Sequence, residues 1–162
     1  MRAGRHIAAA LALLGLAALP VPASAGGSAP VLSITAASAF ATASAARSLA
    51  VSGTFNFDDL VQFLFPAGLV VWQGTHFVRF DVDGSVREGT AAFAADGIAA
   101  SEIPALLQSG APVGSARLVE LGASRIVVAL PPSFSAGPAS AMLYADFDGG
   151  QFASNTIAVT LP

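Results

Sequence analysis

The alternation of apolar and polar residues in short segments is the feature that most constrains this fold. A period of two places successive side chains on opposite faces of a β-strand, so that one face can be buried. Turn pairs such as Asp83-Gly84 and Gly137-Pro138 separate the segments, and Asp-Gly tolerates the backbone of a tight hairpin. The pattern predicts an all-β fold, a mostly antiparallel β-sandwich. The predicted strands include Leu49–Phe57, Thr75–Val82, Arg125–Leu130, Ala139–Phe147 and Asn155–Leu161.

One short helix is predicted between Gly97 and Gly110. Ser101 is placed to cap its amino terminus, Glu102 suits the positive end of the helix dipole, and Pro104 is acceptable only in the first turn. The stretch from Ala36 to Ser48 is rich in Ala and Ser and has no clear period. We interpret that stretch as a loop or an irregular edge segment.

Residues 1–25 have the organisation of a secretory signal peptide. Arg2 and Arg5 give a positive start, residues 7–19 form a short apolar run, and Ala23-Ser24-Ala25 supplies the small residues that signal peptidase requires. We expect cleavage after Ala25 and a secreted or periplasmic protein. The apolar run is too short to span a bilayer, so we expect no membrane insertion after cleavage.

The remaining residues predict one domain. Residues 26–29 form a flexible lead-in, and residues 30–162 have the length of an ordinary domain with a single core. The chain contains no cysteine, so neither disulfides nor thiolate metal sites can form. It contains no lysine, and the arginines outside the leader are scattered among ten acidic residues. Nucleic acids and anionic membrane surfaces require clustered basic side chains, so neither partner is expected.

The carboxy-terminal segments resemble the IPT/TIG family of immunoglobulin-like domains. In that family a strand ending in proline is followed by a Gly-Pro turn, a Gly-rich hairpin and a final Ser-Asn strand. The matching residues are Leu130-Pro131-Pro132, Gly137-Pro138, Gly149-Gly150 and Ser154-Asn155, and Ser48–Phe57 is similar to the family's early strand. The resemblance implies an immunoglobulin-like β-sandwich of bacterial secreted type. Family members bind proteins, glycans or DNA, or space other domains, so the resemblance implies no particular ligand.

His76 is the candidate catalytic residue, because it is the sole histidine outside the predicted leader. A Ser-His-Asp mechanism would need it beside a carboxylate and a serine. Strand alternation places His76 with Val78 and Phe80, whereas Asp81 and Asp83 fall on the opposite face. The sequence also lacks a G-x-S-x-G nucleophile motif. We therefore interpret His76 as a structural residue and predict no enzyme; a small secreted hydrolase, with His76 or a carboxylate pair in a cleft, is the remote alternative.

Two acidic turns are candidates for a calcium site. Alternation brings Asp81 and Asp83 to one side of their strand, and it does the same for Asp146 and Asp148. Each pair precedes or includes a turn that could supply carboxylate and carbonyl ligands. Asp-Gly is also a common hairpin turn, and neither segment follows the EF-hand pattern. We interpret both as hairpins, predict no cofactor, and keep calcium as the alternative.

Trp72, Phe77 and Phe65 are the candidate binding residues. Phe77 falls on the polar side of its predicted strand, with Arg79 and Asp81, which would expose it. A strip of exposed aromatic rings can bind sugars or partner proteins. The other interpretation is that both faces of this strand are covered, which the high apolar content equally favours.

Together these observations favour a non-catalytic interaction or structural module of the bacterial envelope or exterior, with a protein or glycan partner. A carbohydrate-binding module is the main alternative, and it requires Trp72, Phe77 or Phe65 to line an exposed face. A further expectation concerns assembly. Val127, Ile157 and Val159 lie in apolar strands with few charges, and an uncovered edge there would invite strand addition.

Overall fold

Antiparallel strand pairing dominates the computed structural model, which describes residues 31–43, 46–55, 65–147 and 149–162. The predicted leader and lead-in lie outside the described residues, and so does Asp148. The described part contains eleven strands and one short α-helix. In chain order they are β1 (Leu32–Ala41), β2 (Arg47–Phe55), β3 (Ala67–Gln73), β4 (His76–Asp81), β5 (Val86–Thr90), α1 (Ile103–Gln108), β6 (Ala111–Pro112), β7 (Arg117–Leu121), β8 (Arg125–Ala129), β9 (Gly137–Phe147), β10 (Gly150–Ala153) and β11 (Ile157–Leu161).

The strands form two sheets. One has four strands in the order β1-β2-β8-β7, and the other has seven, in the order β10-β9-β3-β4-β5-β6 with β11 also paired to β9. Every strand pair is antiparallel. The predicted all-β sandwich with one short helix is therefore confirmed.

The main core lies between the two sheets. Leu49 and Val128 from the four-stranded sheet pack with Val71, Val78 and Leu143 from the seven-stranded sheet, and all five side chains are fully buried. At about 25 cal/mol per Å² of apolar surface, burial of this kind is the dominant stabilising contribution in a chain without disulfides.

A second core covers the outer face of the seven-stranded sheet. Side chains of β3, β4 and β9 pack there against the segment that contains α1. The set comprises Val70, Trp72, Phe77, Met142 and Tyr144 from the sheet, and Ile98, Ile103 and Leu106 from the covering segment. Strands β3 and β9 are therefore buried on both faces, which explains their continuous apolar sequences.

The covering segment differs in detail from the predicted helix. A 3₁₀ turn over Ala100–Glu102 leads into α1, and Pro104 lies in the first turn as expected. Ser101 does not cap it; instead the Glu102 carboxylate accepts a hydrogen bond from the Ala99 N–H at 2.9 Å. No helix in the described ranges is long and apolar enough to cross a bilayer.

The Ala/Ser-rich stretch is more regular than predicted. Strand β1 continues to Ala41 and pairs with β2, with an irregularity between Ile34 and Ala36. The loop interpretation is wrong for residues 36–41, whereas the edge interpretation agrees with the position of β1 at the end of its sheet. Cross-strand pairing with β2, which is largely buried, compensates for the weak strand propensity of Ala and Ser.

Two polar side chains fasten the final strands to the rest of the sandwich. The hydroxyl of Ser154 accepts the Leu143 N–H at 2.9 Å, where the ladder between β9 and its neighbours is interrupted. The Asn155 amide accepts the Ile34 N–H at 2.8 Å and donates to the Ile34 carbonyl at 2.9 Å. The Asn155 side chain thus makes with Ile34 the pair of hydrogen bonds that the backbone of a neighbouring strand would make.

The sheet edges differ in one position from the expectation about assembly. Val127 lies in β8, which pairs with β2 and β7, so its assignment to an open edge is wrong. Ile157 and Val159 lie in β11, which pairs with β9 alone among the described strands, so an open edge at these two residues agrees with the expectation. The exposed large hydrophobic residues among those described are instead on, or next to, the outer strands of the four-stranded sheet: Val31 and Phe40 at β1, and Val119 and Leu121 in β7.

Candidate functional site

A cleft of about 420 Å³ opens between the β4–β5 hairpin and α1. One wall is apolar and the other carries charged and hydroxyl groups. The apolar wall consists of Phe65, Pro66 and Leu107, and the polar wall of Arg79, Asp81, Asp83, Ser85 and Arg87. A concave site with apolar walls and a few converging polar groups is the usual form of a ligand site.

The base of the polar wall is a row of three residues across three strands. Gly68 on β3 is the register partner of Tyr144 on β9 and of Asp81 on β4. Because Gly68 has no side chain, the Tyr144 phenol can cross β3, and its hydroxyl donates a hydrogen bond to Asp81 Oδ1. Tyr144 is fully buried, and this burial, reinforced by the Asp81 charge, raises its pKa well above the ordinary value of 10.0.

Arg79 completes this buried group. Its Nε lies 3.1 Å from Asp81 Oδ1, and its Nη1 donates to the Leu106 carbonyl in α1 at 2.6 Å. Only 3% of Arg79 is exposed. Asp81 also accepts the Ser85 hydroxyl at 3.0 Å, so donors from three residues surround it. Because both members of this buried ion pair are also hydrogen-bonded to other residues, its geometry is fixed.

The Asp83-Gly84 turn lies at the mouth of the cleft. Asp83 accepts the Ser85 N–H at 2.8 Å, and Gly84 has a φ of 87°. The Ser85 hydrogen bond, followed by the Arg79 charge as a weaker influence, holds the pKa of Asp83 below its ordinary value. The hairpin interpretation of this segment agrees with these contacts.

The carboxylates of the two acidic turns are engaged by the protein's own donors where they are described. Asp81 is 8% exposed and its oxygens accept hydrogen bonds from protein donors. Asp146, in the second turn, accepts the Gln151 amide at 3.3 Å. No three His, Asp or Glu side chains come together in the described ranges as metal ligands would. Asp148, the fourth predicted ligand, lies outside those ranges.

His76 lies at the other end of β4 and has a carboxylate partner. Its Nε2 is 2.7 Å from Glu88 Oε1, and its ring packs on Phe134 with centroids 4.7 Å apart. Asp81 and Asp83 are indeed on the other face, but Glu88 reaches His76 from β5, a partner that alternation within one strand could not reveal. Ser133 also donates to Glu88 Oε1. The carboxylate therefore lies between the serine and the histidine, whereas a triad requires the imidazole in the middle.

The predicted aromatic strip is not on the surface. Phe77 is fully buried and Trp72 is 6% exposed, so the interpretation that placed Phe77 on an exposed face is wrong. Trp72 stacks on Phe93 with centroids 4.6 Å apart and the rings nearly parallel. Phe65 packs edge-on against Phe147 and lines the cleft, and it alone of the three candidates is positioned to meet a ligand there.

The structure thus assembles a site from residues that had been considered separately or missed. The sequence predicted Asp81, Asp83 and Phe65 as candidate site residues. It did not predict Tyr144, Ser85, Arg79 or Arg87. One sequence feature could have indicated the site: Arg79 is a charged residue on the same face of its strand as Phe77 and Asp81. No protein-family model, curated protein or solved structure matches the chain.

Proposed function

We propose that this protein is a secreted, non-catalytic interaction module of the bacterial envelope or exterior, an immunoglobulin-like sandwich of IPT/TIG type that contacts a partner protein through the cleft. The observation that carries the proposal is Arg79, a nearly buried guanidinium at the base of an open cleft, fixed by Asp81 and the Leu106 carbonyl. Polar groups held in place before binding lose little freedom on complex formation, which favours affinity.

The arrangement of the ionisable groups supports a binding role over a hydrolytic one. Asp81 accepts hydrogen bonds from Tyr144, Arg79 and Ser85, so it is poorly placed to accept a proton from a substrate. Glu88 separates Ser133 from His76. In both groups the carboxylate is engaged by hydrogen-bonding side chains of the protein itself.

The turn chemistry supports the family assignment within this proposal. Gly137 has a φ of 128° before Pro138, and Ser154-Asn155 supplies the hydrogen bonds that join the final strands to β9 and β1. These are the positions that carry the resemblance, and each has a structural task in this chain.

A carbohydrate-binding module is the weaker candidate. Sugar rings stack on exposed aromatic faces, and Trp72 and Phe77 are covered by the segment around α1. Phe65 is the single candidate ring at the cleft.

The test compares two tryptophan variants. Leu107→Trp places bulk in the cleft, whereas the matched variant Leu121→Trp places it on the exposed edge strand β7. Each purified protein is cross-linked to envelope extract of the producing cell, and the captured proteins are quantified by mass spectrometry. We expect a protein that is captured by the wild type and by Leu121→Trp but lost with Leu107→Trp.

The reverse result, loss with Leu121→Trp alone, would place the contact on the edge of the four-stranded sheet and contradict the cleft. Retention of every captured protein by both variants would also contradict it. Circular dichroism of both variants confirms that each remains folded before the comparison is made.

A further inference from the structure

Two arginines lie directly opposite each other on the polar wall of the cleft. Arg79 on β4 and Arg87 on β5 are register partners, so their side chains leave the sheet on the same face. Directly opposed side chains of an antiparallel pair have Cβ atoms about 5 Å apart, and like charges at such positions are destabilising. A compensating negative charge is therefore needed near both guanidinium groups.

The protein's own carboxylates compensate for only one of the two. Asp81 forms an ion pair with Arg79. Arg87 has no carboxylate within ion-pair distance in the described part of the chain, and its single hydrogen bond there goes from Nη1 to the Gly110 carbonyl at 3.2 Å. The exposed Asp83 accepts the Ser85 N–H within its own turn. Among the described residues, the positive charge of Arg87 in the cleft is therefore left without a carboxylate partner.

The two guanidinium groups also carry more N–H donors than the described residues accept. A guanidinium carries five N–H donors. Arg79 uses Nε and Nη1, and no described residue accepts from its Nη2, while Asp81 already accepts from three residues. The nearly buried Arg79 and the half-buried Arg87 therefore present unused N–H groups toward the same cleft.

We propose that the cleft binds a single carboxylate of a partner protein, a Glu or Asp side chain or a carboxy terminus, between Arg87 and the outer edge of Arg79. This assignment rests on the proposed function, which makes the cleft the contact surface. Planar guanidinium groups match carboxylate geometry through paired hydrogen bonds. The Phe65, Pro66 and Leu107 wall would receive the apolar part of the bound residue. The formal net charge of −3 on the chain, which becomes more negative if the predicted leader with Arg2 and Arg5 is removed, disfavours polyanions and leaves a monoanionic ligand as the better match.

The test uses three small probes and nuclear magnetic resonance titration of the whole protein at millimolar concentration. The first is acetyl-Gly-Gly-Leu with a free carboxylate, the second is its carboxy-terminal amide, and the third is galacturonate. We expect saturable shifts of the Arg87 Nε–H resonance with the acid, and binding of the amide weaker by about tenfold or more, since hydrogen bonds to charged groups contribute at least that much.

Variants locate the site. Arg87→Gln removes the unpaired charge and should weaken binding of the acid about tenfold or more, while Arg87→Lys, which keeps the charge without the fork of donors, should give an intermediate value. Arg117→Gln is the matched control, because Arg117 is exposed on β7. It should bind the acid as the wild type does. Trp72 fluorescence verifies the fold of each variant.

Equal affinity for the acid and the amide, no binding of any probe, or binding that survives both Arg87 variants would overturn the carboxylate assignment. Preference for galacturonate would transfer the site to acidic glycans and overturn the protein assignment. The cross-linking comparison with Leu107→Trp remains a separate measurement. A carboxylate site can thus fail while the cleft stands as the contact surface.

Discussion

Gly68 leaves the space through which the Tyr144 hydroxyl reaches Asp81. A Cβ at this position would lie 1.9 Å from the Phe80 carbonyl oxygen and 2.9 Å from the Tyr144 hydroxyl. The first contact is with backbone, which cannot rotate away. The missing side chain therefore lets β3 pair closely with β4 and leaves the path that the phenol uses to reach Asp81.

Gly68→Ala should lower the free energy of unfolding by about 1–3 kcal/mol or more, the usual cost of overpacking a core. Gly114→Ala is the matched control, since its added Cβ meets nothing within 4 Å, and should change stability by less than about 0.5 kcal/mol. Urea unfolding followed by Trp72 emission measures both, because Trp72 is the single tryptophan. Equal stability of the two variants would show that β3 can shift at no cost.

At the scale of elements, the β4–β5 hairpin shows what sequence reasoning could and could not reach. The turn at Asp83-Gly84 and the alternation of β4 were predictable from residue types. A two-residue turn on Asp83-Gly84 would pair Arg79 with Glu88, a salt bridge. The observed loop is longer, with β4 ending at Asp81 and β5 beginning at Val86, and the register pairs Arg79 with Arg87. A shift of one residue moves every side chain of a strand to the other face.

This difference of one residue in register determines which charged side chains line the cleft and which face His76. It brought Arg87 into the cleft and turned Glu88 toward His76. Strand registers depend on the length of the loop and on packing across the sheet, neither of which residue types alone specify. The fold class was therefore accessible from sequence, and the constellation of charges was not.

The loop between β8 and β9 closes one end of the main core. Phe134 is fully buried there, its carbonyl accepts Arg47 Nη1 at 2.9 Å, and its ring contacts His76. The Gln73 side chain holds the same loop through both the N–H and the carbonyl of Ser135. The loop is consequently fixed from three strands.

Phe134→Ala should destabilise the protein by about 3–5 kcal/mol, because it opens a cavity where a large ring was packed. Phe134→Leu keeps most of that volume, so it should lower the free energy of unfolding by less than Phe134→Ala does. Denaturant midpoints by Trp72 fluorescence give both values. If the alanine variant lost no more than the leucine variant, the ring would not be filling the core.

At the scale of the whole molecule, the part least accessible from sequence was the layer that covers the outer face of the seven-stranded sheet. The apolar run of β9 was predicted as a strand, but such a run also suits a strand with one exposed face. Ile98, Ile103 and Leu106 cover the outer face of the sheet, so that face is buried. These residues lie about thirty positions after β3 in the chain. Pairing over such separations is a tertiary property that local pattern does not encode.

Burial of the single tyrosine links its ionisation to global unfolding. The pKa of Tyr144 is raised in the folded state, so its contribution to stability is fully present below the unfolded pKa of about 10 and is lost as pH rises above that value. The chain has no lysine or cysteine to titrate in the same range. We expect phenolate absorbance to develop together with the red shift of Trp72 emission.

Tyr144→Phe supplies the control for this titration, since it removes both the phenolate signal and the associated alkaline loss of stability. Appearance of phenolate near pH 10 in protein whose Trp72 emission is still that of the native state would contradict the link between Tyr144 ionisation and unfolding.

The two hydrogen bonds between Asn155 and Ile34 have a consequence for the order in which the parts of the sandwich form. The two residues are 121 positions apart. A polypeptide leaves the ribosome or a translocation channel amino terminus first, so β1 emerges long before the amide that will hold its backbone. Such distant contacts also slow folding, because a long loop must close before they form. The contact that holds β1 against the final strands can therefore form only after nearly the whole chain has emerged.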